Sequence, residues 1–211
     1  MKMILLGPPG AGKGTHGKII AGRYNIPIIS TGDMIREAIK KGTEIGKVAK
    51  DIINKGQLLS DEIVIEMVKE RVGYDDCKEG FILDGFPRTV GQAEALSQMS
   101  EGKPDIVLEL YSTDGEIIER LSGRRVCPDC GQTYHVVDNK PNVEGRCDSC
   151  NAELIIRDDD TEETIKDRLK VYHLQTEPLT EYYTKQGILR SVHVAGEMND
   201  VAAEIAKTLE G

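Results

Sequence analysis

Tryptophan is absent from this 211-residue sequence and aromatic residues make up only 4% of it, so a core must be built from Ile, Leu, Val and Met. That palette is enough for an α/β fold. No uninterrupted apolar stretch approaches the roughly 18 residues of a membrane span, and the apolar N-terminal run stops at a glycine loop before it could serve as a signal peptide. A soluble, cytoplasmic chain with no membrane partner is expected. Basic residues are in deficit, 27 Lys plus Arg against 36 Asp plus Glu, and the net charge of -9 opposes the attraction that a polyanion needs. Nucleic acid is therefore not an expected partner. Repeats, low-complexity tracts and heptad seams are also missing. The length supports one main domain with room for insertions, and a monomer is the default.

What is present is an alternation. Short apolar runs at residues 1–6, 26–29, 81–83, 106–110 and 191–194 are separated by helical periodicity, clearest at 13–23, 61–72 and 161–185. This pattern predicts a parallel sheet wrapped by helices. Two segments break it. Residues 30–59 carry helical patterns without an obvious strand, and residues 123–160 are polar, rich in Gly, Pro and Cys, and without helical period. Both are expected as insertions over a core of residues 1–29, 60–122 and 161–211. The acidic cluster RDDDTEE at 157–163 is best read as a helix start, with Asp160 as N-cap and Glu163 closing a capping box.

Directly behind the first apolar run stands GPPGAGKGT, residues 7–15. Gly7, Gly12 and Lys13 fit GxxxxGK, in which small residues let backbone N–H groups curl around a phosphate while the following helix presents its positive end. Lys13 would then reach the β and γ phosphates. The hydroxyl that usually follows the lysine arrives one place late: Gly14 stands there and Thr15 comes next. A carboxylate to help hold Mg²⁺ is offered by Asp84 in FILDGFPRT, at the end of an apolar run, where ligands of parallel sheets bind. The four histidines, His16, His135, His173 and His193, share no metal or triad spacing.

CPDC at 127–130 and CDSC at 147–150 are separated by sixteen residues, inside the window for a tetrahedral zinc site of Cys127, Cys130, Cys147 and Cys150. Two disulfides are the competing reading, disfavoured in a reducing compartment. With four thiolates the zinc would be structural. Cys77 lies outside the pattern as an ordinary buried thiol.

Taken together, GPPGAGKGT, STGDMIR at 30–36, LDGFPRT at 83–89 with Gln92, GRRVCPDCG at 123–131 and the set from Arg157 to Arg168 resemble the adenylate kinase family over essentially the whole chain. The late threonine belongs to that resemblance, since GKGT is the usual ending there. It implies a P-loop parallel sheet flanked by helices, a helical insertion at 30–59 that binds a nucleoside monophosphate, and a small zinc-ribbon-like lid at 123–160. It implies Mg-dependent phosphoryl transfer from ATP to AMP. By matching positions, ATP falls to Gly10, Ala11, Gly12, Lys13, Gly14, Thr15, Arg120, Arg124, Thr133, Tyr134 and Met198. AMP falls to Thr31, Arg36, Gln57, Leu58, Leu59, Gly85, Phe86, Pro87, Arg88, Gln92, Arg157 and Arg168, with Gln92 suited to reading the adenine edge. Lys13, Asp84, Arg88, Arg124, Arg157 and Arg168 would surround the transferred group. Three other readings stay open: a different nucleoside monophosphate kinase or a GTP donor, a slow nucleotide-hydrolysing switch, and a zinc-ribbon binding module.

Overall fold

Strands covered on both faces by helices read as continuous apolar runs, and those of this chain build one such sheet. In the computed structural model, which describes residues 1–99 and 102–210, the strands are β1 (Lys2–Leu6), β2 (Ile28–Ser30), β3 (Phe81–Asp84), β4 (Ile106–Tyr111) and β7 (Leu189–His193). All pairings are parallel, in the order β2-β3-β1-β4-β7. Alternate residues of β1 serve opposite faces. Ile4 and Leu6 join one apolar cluster with helices α4 (Asp61–Val72), α5 (Val90–Gln98) and α8 (Pro178–Thr184), whereas Met3 and Leu5 join the other with α1 (Lys13–Tyr24), α6 (Asp114–Ser122), α7 (Glu162–Val171) and α9 (Met198–Glu210). Register places Ser30 beside Asp84 and Asp84 beside Leu5, so the carboxyl ends of three strands open onto one edge. Among the described residues no helix is long and apolar enough to cross a membrane.

Of the two interruptions of the alternation, the first packs Ile35, Ala49 and Leu59 into the same cluster as Ile4 and Leu6, and the second has a small interior of its own. In residues 31–54, α2 (Thr31–Lys40) and α3 (Glu44–Asn54) are started by Ser30 and Thr43, whose hydroxyls accept from the N–H groups of Asp33 and Gly46. They touch at Gly46, where a Cβ would stand 2.1 Å from the Ala38 carbonyl oxygen. Residues 124–135 form a small antiparallel ribbon, β5 (Arg124–Val126) against β6 (Thr133–His135). Its apolar cluster is Cys127, Tyr134 and Cys147, backed by Ala152 and Leu154, with Val126 of β5 also buried. So little apolar surface does not hold a segment together unaided, and a metal clip would contribute there.

The structure corrects the sequence reading at four places. The strand expected from residue 26 begins at Ile28, because the Ile26 N–H is used closing α1 on Ala21 and Pro27 has none to give. The last strand is Leu189–His193, two residues earlier than expected. The helix expected over 161–185 is split by a π-turn at Tyr172–Thr176, in which the Glu177 N–H reaches back to the Tyr172 carbonyl at 2.9 Å. Asp160 is not an N-cap: Thr161 caps α7 by accepting from the Thr164 N–H, and Asp160 ends a short 3-10 turn, Asp158–Asp160, facing arginines.

Candidate active site

The glycine loop leaves β1 at Gly7, whose φ of +138° no side chain favours and whose Cβ would stand 2.1 Å from the Leu110 carbonyl oxygen. Gly10 and Gly12 are left-handed at +82° and +79°, which lets the loop turn tightly enough to enter α1. The first turn of α1 contains no acidic residue, so its positive end is left to a ligand. Lys13 arches back over the loop and donates to the carbonyls of Gly7 and Pro8 at 2.8 and 2.7 Å. Burial pushes its ammonium down to about 8, with the nearby Asp84 carboxylate pulling the other way.

Asp84 lies across from this loop, with Oδ2 3.7 Å from where a Cβ on Gly14 would be. Burial raises its carboxyl above the usual range, and Lys13 and Arg88 only partly offset that. A small cavity of about 180 Å³ opens beside it, lined in part by Gly14, Ser30, Asp33 and Asp84. A carboxylate whose charge is incompletely balanced, next to a phosphate loop, fits a hard divalent cation such as Mg²⁺ with its waters. Thr15 is exposed at the start of α1.

Opposite the loop, β3 runs into Gly85, the cis Phe86–Pro87 peptide and Arg88. Thr31 Oγ1 donates to the Gly85 carbonyl at 2.8 Å, and Arg88 Nε donates to the same oxygen at 2.8 Å. The Arg88 N–H donates to Gln92 Oε1 at 2.7 Å, and Gln92 Nε2 donates to Asp61 Oδ1 at 2.7 Å. Gln92 is thereby buried and committed at both ends of its amide. One N–H and one lone pair of the amide remain for the expected contact with a base, and the two bonds fix its orientation. Arg36 folds over Gly32 and pairs with Asp33 at 2.5 Å. Gln57 is exposed, Leu58 half-buried and Leu59 buried, and the preceding Gly56 lies against Arg168 of α7.

The ribbon and its flanks supply the other cations. Asp160 accepts from Arg124 Nε and Nη2 at 2.8 and 2.5 Å and from Arg168 Nη1 at 3.1 Å. Asp159 Oδ2 lies 3.0 Å from the same Arg168 nitrogen. Arg157 is less fully compensated: its Nε is buried with no partner among the described residues. Burial, then the charges of Arg36 and Arg124, push its guanidinium down to about 10. Arg88 is likewise pushed to about 10, by burial and then by Arg168. Five guanidinium groups, on Arg36, Arg88, Arg124, Arg157 and Arg168, thus crowd one region and repel one another; Arg36, Arg124 and Arg168 pair with Asp33, Asp159 and Asp160, while Arg88 and Arg157 pair with no carboxylate among the described residues. Such a region is complementary to an anion of several charges. Lys40 Nζ reaches the Pro128 carbonyl at 3.3 Å, so the two insertions touch across it.

Other expected nucleotide contacts stand further out. Arg120 of α6 donates to the Val194 carbonyl. Thr133 is half-buried on β6, and Met198 is exposed as the first residue of α9. The Tyr134 side chain turns inward, its hydroxyl donating to Cys147 Sγ at 3.6 Å and accepting from the Asp148 N–H at 2.7 Å. Only its backbone is left for a nucleotide. His16 is buried under Gly12, and the remaining histidines are scattered over the structure.

The four cysteine sulfurs lie within 4.8 Å of one another. Their closest separations are 3.3, 3.5 and 3.7 Å. Disulfide sulfurs stand about 2.05 Å apart, whereas Zn–S bonds of about 2.3 Å put tetrahedral corners about 3.8 Å apart. The cluster therefore fits a metal ion and not a pair of disulfides.

Asp61, Asp159 and Asp160 were not singled out as site residues from sequence. The last two lie inside the Arg157 to Arg168 set that carries the resemblance and in the acidic cluster at 157–163, which also fits a helix start.

A phosphate loop at the carboxyl edge of a parallel sheet, facing a metal-suited carboxylate and an arginine cluster, defines a P-loop phosphotransferase. The family model described as Adenylate kinase matches residues 5–188. The chain is 53% identical to the adenylate kinase of Acetivibrio thermocellus, across 100% of this chain and 99% of that one. It is 51% identical to that of Caldicellulosiruptor bescii, across 99% of each, and 50% identical to that of Archaeoglobus fulgidus, across 100% and 98%. The chain belongs to the adenylate kinase family.

Proposed function

We propose that this chain moves the γ-phosphoryl group of Mg-ATP reversibly onto AMP, yielding two ADP, with Lys13 and residues 10–15 gripping the donor and Thr31, Arg36, Arg88 and residues 57–59 holding the acceptor. The observation that carries this assignment is the convergence of five guanidinium groups near Lys13 and Asp84, of which Arg88 and Arg157 pair with no carboxylate among the described residues and Arg157 Nε is buried without a partner there. Relief of their mutual repulsion by bound phosphates gives binding energy at the place where charge is transferred.

No general base is needed. The second pKa of a phosphate monoester is about 6, so the acceptor oxygen is largely ionised at neutral pH. The protein has only to align it and to stabilise charge spread over the migrating group. Asp84 would hold Mg²⁺ through its waters, and the ion would supply charge neutralisation on the donor phosphates. Lys13 is freed from its loop carbonyls when phosphate oxygens replace them as acceptors. Arg124 and Arg168, fixed in orientation by Asp160, point toward the group from the lid side, and Arg157 joins them. Residues 123–160 act as a lid stiffened by zinc at Cys127, Cys130, Cys147 and Cys150, and closure excludes water that would compete with AMP. Thr133, the Tyr134 backbone, Arg120 and Met198 border the donor base.

Arg36→Gln and Lys13→Met test the division between the two nucleotides. Loss of charged hydrogen bonds predicts that the first raises KM for AMP by at least about tenfold with little change in KM for ATP. The second is expected to cripple turnover chiefly through the donor. Equal effects of Arg36→Gln on both nucleotides would refute the assignment.

A further inference from the structure

The π-turn between α7 and α8 interrupts what is otherwise one continuous helical rod, adding a residue and replacing a regular helical bond by the longer one from Glu177 to Tyr172. Such turns are retained mainly where a side chain must be aimed at something. Here the residue re-aimed is Thr176. A threonine inside a helix normally turns its hydroxyl to a carbonyl one turn back, but Thr176 Oγ1 donates instead to the Arg88 carbonyl at 2.9 Å, 88 positions away in the chain. Thr176 is 7% exposed, so water offers that carbonyl little substitute.

The Arg88 main chain is thereby held on both sides. Its N–H is fixed by Gln92, its carbonyl by Thr176, and its Nε by Gly85. The far side of the π-turn is tied as well: His173 sits between Asp114 Oδ1 at 3.0 Å and Glu177 Oε2 at 3.1 Å, joining the turn to the start of α6.

We propose that Thr176, aimed by the π-turn, is a positioning residue for Arg88 and so for the phosphate of the acceptor nucleotide. This rests on the reading of Arg88 as an acceptor ligand. The hydroxyl itself touches no substrate; it limits rotation of the peptide from which the guanidinium extends.

Kinetics of Thr176→Val, Thr176→Ala and Thr176→Ser, with Arg88→Gln as reference, test the proposal. Loss of one buried neutral hydrogen bond predicts that Val and Ala lower kcat/KM for AMP by about fivefold, leave KM for ATP within a factor of about two of wild type, and that Ser, which keeps the hydroxyl, restores most of the loss. Melting temperatures of the three variants are read alongside. If Val and Ser behave alike, or if the loss falls equally on ATP and follows the melting temperature, Thr176 is merely structural. If Arg88→Gln leaves AMP kinetics intact, the acceptor reading falls and the proposal with it. If Arg88→Gln is crippled while Val and Ala match wild type, only the proposal falls. Should Val fail to fold, Ala and Ser decide the comparison.

Discussion

Asp160→Asn isolates the electrostatic frame of the site from its shape. The carboxylate is fully enclosed, with side-chain exposure of 0%, and its partners Arg124 and Arg168 are 15% and 18% exposed. The substitution preserves volume but removes the negative charge and turns an N–H₂ group toward at least one guanidinium. Breaking a buried ionic network by deleting one member costs about 3–5 kcal/mol. Asp159 still pairs with Arg168 at 3.0 Å, which places the expectation at the lower end, about 3 kcal/mol. In a chain of this size each kcal/mol moves the melting temperature by about 2–4 °C, so a fall of about 6–12 °C is expected. Turnover should fall too, by about tenfold or more, because two arginines lose the anchor that orients them toward the transferred group. Thermal denaturation by circular dichroism at pH 7 gives the first number and ADP formation at saturating nucleotides the second. A variant that melts within 2 °C of wild type with unchanged turnover would show that these pairs do not frame the site.

Titration, metal and surface give three more predictions. Because burial holds Lys13 at about 8 in the free protein, kcat/KM for ATP should fall as pH rises through about 8; a profile flat to pH 10 would contradict the placement of Lys13. Cys147→Ser, or a strong chelator, should release one bound metal per chain, lower the melting temperature and weaken ATP far more than AMP, whereas metal analysis showing none in the wild type would remove the clip. Against some burial, the hydrogen bonds that protonated His173 donates to the carboxylates of Glu177 and Asp114 hold it above its ordinary value. Its stabilisation is complete below the unfolded value of about 6.5 and is lost as pH rises through the raised folded value. The gap in melting temperature between wild type and His173→Gln should therefore narrow from pH 6 to pH 9.

Features whose cause is local could be read from the chain. The strand cores alternate with helices because each apolar run is short and bounded, and GPPGAGKGT and the paired CxxC motifs are patterns of spacing. Features caused by partners far away in sequence were hidden. Asp160 sits next to a good N-cap, Thr161, and only the presence of Arg124, 36 residues earlier, turns it from a cap into a counter-ion. Tyr134 falls to ATP by matching position, and only Cys147 and Asp148, 13 and 14 residues on, take up its side chain. The π-turn has no breaker: YHLQT continues the helical period, and its distortion is explained by the Arg88 carbonyl and the His173 contacts. Gln92 is polar, but that Asp61, 31 residues earlier, and the Arg88 N–H orient its amide could not be read from the chain.

The account turns on what receives the phosphoryl group. Chromatographic product analysis after mixing the protein with Mg-ATP and, separately, AMP, UMP, CMP, GMP or no acceptor measures that directly. The account predicts rapid ADP formation with AMP alone, two ADP for each ATP consumed. Equal consumption of ATP without acceptor, or faster transfer to a pyrimidine monophosphate, would contradict it.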